Sequence, residues 1–225
     1  MSVLVPKNVI IEYEDIRYSG DFRALLISDL HIGFCQPVEE GKYSLFLKIK
    51  DLITDENANY VFILGDIVHF RFYRFVDSWI SFYNLLDTIG TPICIIPGNH
   101  DRYMHGMVNF FSRYRNVSII NKELLRIFVN DSPIPLILGH DLKNDKKVHG
   151  DDLVRSWFSM LRSLFSFIPQ ESLMIVGHTH ETVVSDDQLT YSISPFSYDL
   201  GYYEYGIVEY TDEGAFRIRI DQINE

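Results

Sequence analysis

The chain has 225 residues, 47% hydrophobic and 23% charged, a composition too apolar for disorder and long enough for one generous domain or two small ones. No window approaches eighteen consecutive apolar residues, which excludes a spanning helix, and the opening apolar run meets acidic residues too soon for a signal peptide. The formal charge of −11 opposes non-specific binding to nucleic acid or anionic lipid, and two cysteines, Cys35 and Cys94, cannot make a disulfide framework, so the default compartment is the cytoplasm.

Five β-rich runs are each followed closely by Gly, Asp, Asn or His. Residues 23–28 lead into Asp29-Leu30-His31, and residues 60–64 into Gly65-Asp66. Residues 92–97 precede Gly98-Asn99-His100-Asp101, residues 135–138 precede Gly139-His140-Asp141, and residues 173–176 precede Gly177-His178-Thr179-His180. Continuous apolar runs of this length read as strands buried on both faces. Between them, helical spacing runs over 38–53, 72–86 and 151–167. Strands alternating with helices predict an α/β layered fold. The segment 117–129 suggests two more strands, and 189–193, 205–210 and 215–220 read as a closing meander with a turn at 212–214. No repeat, low-complexity tract or linker interrupts the chain, so residues 1–225 are read as a single domain.

Five of the eight histidines stand just after predicted buried strands, beside Asp29, Asp66 and Asn99. In open α/β sheets ligands gather at the carboxyl ends of strands. Asp29 and His31 are two residues apart, as are His178 and His180, so in an extended segment each pair points one way and reaches a common centre. Asn99 and His100 are adjacent and should diverge, one a ligand and the other facing substrate. The glycines before these residues permit tight turns and close backbone approach. Imidazole nitrogens with carboxylate and amide oxygens, and no thiolate, form a site for Mn, Fe, Zn or Ni. Seven candidate ligands are too many for one tetrahedral ion, whereas two ions sharing a carboxylate use them naturally and can clamp a phosphoryl group.

The ordered motifs Asp29-x-His31, Gly65-Asp66, Gly98-Asn99-His100-Asp101, Gly139-His140 and Gly177-His178-x-His180 resemble the calcineurin-like metallophosphoesterases, whose pattern stands complete here. The resemblance implies two packed mixed β-sheets flanked by helices, a four-layer α/β/β/α sandwich. It implies that Asp29, His31 and His180 hold one divalent ion, Asn99, His140 and His178 a second, and that Asp66 bridges. Manganese is the first choice of metal, with Fe, Zn or Ni as alternatives. A phosphodiester would be attacked by a metal-bound hydroxide, with His100 as general acid or transition-state stabiliser. A nuclease acting on DNA or RNA ends is the alternative. A more remote one is a non-catalytic scaffold, since some relatives, such as a retromer subunit, keep the fold without the catalytic histidines.

His69 follows Asp66 in a GDxxH form that resembles the repair-nuclease and DNA-ligase-associated branches; there it would contact substrate or support His100. The alternative is a histidine hydrogen-bonded within the following helix. Arg71 and Arg74, then Arg102, Arg113 and Arg115, lie in aromatic-basic stretches after the second and third motifs, and Arg71 and Arg102 are nearest to them. Arginine forks suit the phosphate of a nucleotide or nucleic-acid substrate, although a solvated helix face would read the same way. Cys94 falls mid-strand as inert core, while Cys35, His105 and His149 read as incidental. Residues 156–168 are apolar on more than one helical face and must be buried, under a cap or in a homo-oligomer contact.

Overall fold

In the computed structural model Leu25 and Ile27 face one way, Ala24 and Leu26 the other, and all four are fully buried. That double burial is why the run reads as continuously apolar rather than alternating. The structure describes residues 12–31, 44–67, 86–101, 114–120, 122–141, 150–164, 167–196 and 202–224.

In chain order the strands are β1 (Tyr13–Tyr18), β2 (Arg23–Ser28), β3 (Tyr60–Leu64), β4 (Ile93–Ile96), β5 (Val117–Ile119) and β6 (Leu124–Val129). They continue with β7 (Leu136–Gly139), β8 (Met174–Val176), β9 (Thr190–Ser192), β10 (Tyr202–Tyr210) and β11 (Phe216–Asn224). The longer helices are α1 (Ser44–Asp55) and α2 (Asp151–Leu164), and a single 3-10 turn covers Asn99–Asp101. A six-stranded sheet has the order β11-β10-β2-β3-β4-β5, and a five-stranded sheet the order β1-β6-β7-β8-β9. Both are mixed: β2 to β5 are mutually parallel with β10 antiparallel to β2, while β7 to β9 are parallel with β6 antiparallel to β7.

Three apolar clusters define the layers. Leu45, Phe46, Ile49 and Leu52 of α1 pack on Leu25, Ile27, Val61 and Ile63, the outer face of the six-stranded sheet. Leu26, Phe62, Leu64 and Ile96 meet Leu125, Ile127, Leu138 and Ile175 between the sheets. Val154, Trp157, Phe158 and Leu161 of α2 cover Leu124, Ile137, Met174 and Val176 of the five-stranded sheet. This is the expected α/β/β/α sandwich of two mixed sheets.

The expected strands are all present, but pairing reassigns several of them. The closing meander splits: β9 joins β8 in the five-stranded sheet, while β10 and β11 form an antiparallel hairpin in the other. The two strands read within 117–129 also belong to different sheets. β1 was not anticipated. It is an edge strand parallel to β6, and only Ile16 and Tyr18 of its six residues pack inward, too weak an alternation to read. Arg126 of β6 secures it with two bonds to Asp15, at 2.7 and 2.8 Å.

The described part of the first predicted helix ends two residues later than expected, with Asn57 left-handed (φ 49°) and Ala58 N–H donating to the Ile53 carbonyl at 3.0 Å, a Schellman stop. Of the helix expected at 72–86, only its last residue is described. In α2 the stripe Trp157, Phe158 and Leu161 is buried against the chain's own sheet, and Ile168 joins that cluster, while Ser156, Ser159 and Ser163 are exposed. These side chains are thus buried against the chain's own sheet rather than under a separate cap. Arg162, on the buried side, donates to the carbonyls of Gln170, Ser172 and Leu189 and to Thr190 Oγ1, which ties α2 to the chain entering β8 and β9. Burial pushes the Cys94 thiol up to about 12, in keeping with inert core. Among the described residues no helix is long and apolar enough to cross a membrane.

Candidate metal centre

The carboxyl ends of β2, β3 and β4 deliver Asp29, His31, Asp66, Asn99 and His100 from the six-stranded sheet. The ends of β7 and β8 deliver His140, His178 and His180 from the other. The site therefore forms only where the two sheets are stacked.

Asp29, His31, Asp66, His178 and His180 all have left-handed backbones, with φ of 51°, 42°, 47°, 74° and 56°. Non-glycine residues rarely adopt this conformation, and such strain gathers at functional sites. It corrects the extended-strand argument for convergence. Asp29 and His31 do meet, with His31 Nε2 3.8 Å from Asp29 Oδ1, but by a turned backbone. His178 and His180, which the extended-strand argument sends to one centre and the family resemblance to two, fall into different groups.

The backbone of this loop cluster is braced by carboxylates. Asp66 Oδ1 accepts the His100 N–H at 2.8 Å, and the fully buried Asp101 accepts the N–H groups of Gly98 at 2.9 Å and Ile67 at 3.2 Å. The loops carrying Asp66 and His100 are thus stitched in both directions. Asp29 Oδ2 accepts the His178 N–H at 3.1 Å and contacts Ser28 Oγ, which leaves Oδ1 facing the histidines. A Cβ on Gly65 (φ 73°) would stand 2.2 Å from the His140 ring, and one on Gly98 would stand 2.3 Å from Asp66 Oδ1. Those glycines are required by close approach.

Three groups of side chains each bring one potential ligand atom apiece within 4.8 Å of one another: Asp29, His31 and His180; Asp66, His140 and His178; and His31, Asp66 and His100. His31 Nε2 and His180 Nε2 face each other at 3.2 Å, and His180 Nε2 is 3.4 Å from Asp29 Oδ1. His140 Nε2 lies 3.1 Å from Asp29 Oδ1 and 3.7 Å from Asp66 Oδ2. Asp66 belongs to two of the groups, and so does His31. His100 also falls in a group, a proximity that the motifs alone did not suggest, although its Nε2 is 3.9 Å from Asp66 Oδ2 and its side chain is 26% exposed.

Asn99 Oδ1, His140 Nδ1 and His178 Nε2 are buried without a hydrogen-bond partner among the described residues. Buried polar atoms are nearly always satisfied, so a partnerless atom on each of three motif residues fits a cation. The electrostatics agree. Burial opposes ionisation of Asp29, but the imidazoles of His140 and His180 outweigh it and hold the carboxyl well below the usual range. Burial, with the charges of Asp29 and Asp101, pushes Asp66 up to about 7. Burial disfavours a charged His140, yet Asp66 and Asp29 raise it to about 10. Burial and the neighbouring His140 lower His178 to about 4. Two buried carboxylates here draw in positive charge, as a proton on His140 or as a metal ion.

His69, Arg71 and Arg102 lie outside the described residues, as do Cys35, His105 and His149. Sequence reasoning assigned no role to Ser28 or Asp101. Asp101 was visible inside a motif, whereas Ser28 carried no signal.

Stacked mixed sheets thus bring Asp, Asn and His together at their strand ends as a candidate metal centre. The chain matches the calcineurin-like phosphoesterase family over residues 22–182 and belongs to it. In fold it is similar to the nuclease MPE of Pseudomonas putida, with TM-score 0.50 and 18% identity over 89% of this chain and 87% of that one. It is also similar to a dimetal phosphatase from Danio rerio, with TM-score 0.53 and 12% identity over 90% and 98% of the two chains. At these identities the likeness is one of fold. No curated protein sequence matches the chain.

Proposed function

We propose that this protein hydrolyses phosphodiesters with two divalent ions, Mn first among the candidates. Asp29, His31 and His180 would hold one ion, Asn99, His140 and His178 the other, and Asp66 would lie between them. The observation that carries this reading is that the motif loops bring Asp and His ligand atoms within 4.8 Å of one another, while buried Asn99, His140 and His178 each keep a partnerless atom. When bound, two such ions act as Lewis acids on the phosphoryl oxygens and lower the pKa of a water.

The chain's own residues supply the rest. Asp29 and Asp66, both buried, orient the imidazoles of His140 and His180 that lie beside them. His100 stands at the open side, its backbone pinned to Asp66, where its ring can donate a proton to the leaving oxygen or neutralise phosphoryl charge. Metal-depleted protein should bind up to two Mn²⁺ and gain turnover of bis(p-nitrophenyl) phosphate. Two bound ions with no turnover of any phosphoester would instead support the scaffold reading.

A nuclease of DNA or RNA ends is the second reading, supported by His69 in the GDxxH motif and by the basic-aromatic segments bearing Arg71 and Arg102. Cleavage of DNA with free or recessed ends, compared with nucleotide esters and cyclic nucleotides, separates the two.

A further inference from the structure

β10 is almost wholly aromatic and apolar in its first seven residues, with one exception, Glu204. It shares its side of the strand with Gly206 and Val208, faces inward, and is 2% exposed. Burying a carboxylate is costly unless it is well hydrogen-bonded. Among the described residues no cation reaches it. Its partners are neutral: Oε1 accepts the Ser194 N–H at 2.9 Å and the Thr182 hydroxyl, and Oε2 accepts Gln222 Nε2 at 3.2 Å.

The two partners of Oε1 belong to different halves of the site. Thr182 is two residues beyond His180. Ser194 opens the segment whose Phe196 N–H donates to the Ser28 carbonyl at 2.7 Å, directly behind Asp29. The hydroxyls of Thr182 and Ser194 are themselves 3.0 Å apart. One carboxylate oxygen thus joins the chain behind His180 to the chain behind Asp29, across the junction of the two sheets. His180 is the most exposed of the three histidines on this side, at 28%, and its Nε2 lies 3.4 Å from Asp29 Oδ1. The other two are buried, with His140 Nε2 3.1 Å from Asp29 Oδ1 and the His178 backbone N–H donating to Asp29 Oδ2 at 3.1 Å.

We propose that Glu204 is a positioning residue that sets His180 against Asp29 and His31, and so acts more strongly on the ion held by that group than on the ion at Asp66, His140 and His178. This rests on the two-ion reading above.

The test is Mn²⁺ binding to the full chain, by equilibrium dialysis and electron paramagnetic resonance. Glu204→Ala should weaken one ion by about 10–100-fold, the usual effect of losing an outer-shell partner, and should leave a mononuclear spectrum. Thr182→Val, which keeps the volume and removes the hydroxyl, should do the same. Glu204→Gln retains an oxygen for Thr182 and Ser194 and should restore both ions to within about twofold of wild type. Adding Glu204→Ala to His180→Ala should cost no further affinity, whereas adding it to His178→Ala should. Undisturbed two-ion binding in both Glu204→Ala and Thr182→Val, with only a lower melting temperature, would overturn the proposal. So would equal weakening of both ions. A wild-type chain that binds no Mn²⁺ would overturn the two-ion reading itself, and this inference with it.

Discussion

The strands β2 and β3 have a polar cluster at each end, and the two clusters differ in what they leave unsatisfied. At the amino ends Arg23 donates to Glu56 at 2.9 Å and to Glu209 at 2.6 Å. Arg219 donates to the same Glu56 at 2.6 Å, and the Tyr205 hydroxyl donates to it at 3.1 Å. Every charge there has an opposite charge beside it. At the carboxyl ends two acids face a set of imidazoles, with three buried atoms that nothing in the described chain satisfies. The first cluster is complete without a ligand and serves stability. The second is complete only with a ligand, and its residues adopt strained backbones to present themselves.

If that contrast is right, the largest effect comes from removing the shared carboxylate. Asp66→Ala should disturb both ions, each by more than the roughly 10–100-fold that an outer-shell loss produces, with turnover falling below detection. Wild-type stoichiometry measured by metal analysis would show that Asp66 is not shared. Next is His100→Ala, which should retain both ions and lower phosphodiester turnover by about 10²–10⁴. Loss of an ion would make His100 a ligand, as its place near His31 and Asp66 allows.

A smaller effect concerns pH and separates the two clusters in the metal-free protein. His140 is raised to about 10, so its contribution to stability is full below its ordinary value of 6.5 and is lost as the pH climbs towards 10. Asp66, up to about 7, works in the same direction below that pH, while His178 opposes it only in acid. From pH 7 to 9, before Cys94 contributes, the melting temperature of protein held in chelator should therefore fall. Saturating Mn²⁺ should flatten the slope, because bound His140 is neutral throughout. A slope indifferent to metal would place the titrating group elsewhere.

The amino-end cluster gives the smallest effect. The Arg219, Tyr205 and Arg23 contacts outweigh burial and hold the Glu56 carboxyl below its ordinary range, so its stabilisation is present at neutral pH and lost as the pH falls. Glu56→Gln should lower stability by about 1–3 kcal/mol at pH 7, measured by denaturant unfolding, and leave Mn²⁺ affinity unchanged. A change in ion binding would mean that the two ends are coupled.

Much of the site was legible in the sequence because its residues sit at strand ends that are themselves legible. Apolar runs such as residues 23–28 and 60–64 are buried on both faces, a local property visible in composition. Each polar motif follows such a run without a gap. The glycine before Asp66 also had a readable meaning, since the His140 ring lies where its side chain would be. Glu204 left a fainter trace, a single acid whose parity along β10 matches Val208 rather than an exposed residue.

What the residues alone determined is therefore local: which segments become strands or helices, and which side chains emerge from their ends. The assignment of β9 to one sheet and β10 with β11 to the other came from tertiary pairing, as did the separation of β5 from β6 and the recruitment of the half-polar β1. The separation of His178 from His180 was carried by the motif resemblance and not by their spacing, and it is a left-handed backbone at both that realises it on one short loop. The reason is physical. Side-chain periodicity reports how many faces of a segment are buried, whereas the choice of neighbour is made by backbone hydrogen bonds and contacts between residues far apart in the chain. Those forces impose the left-handed turns at Asp29, His31 and His180, and close Glu204 against Thr182 and Ser194 only once the two sheets have stacked.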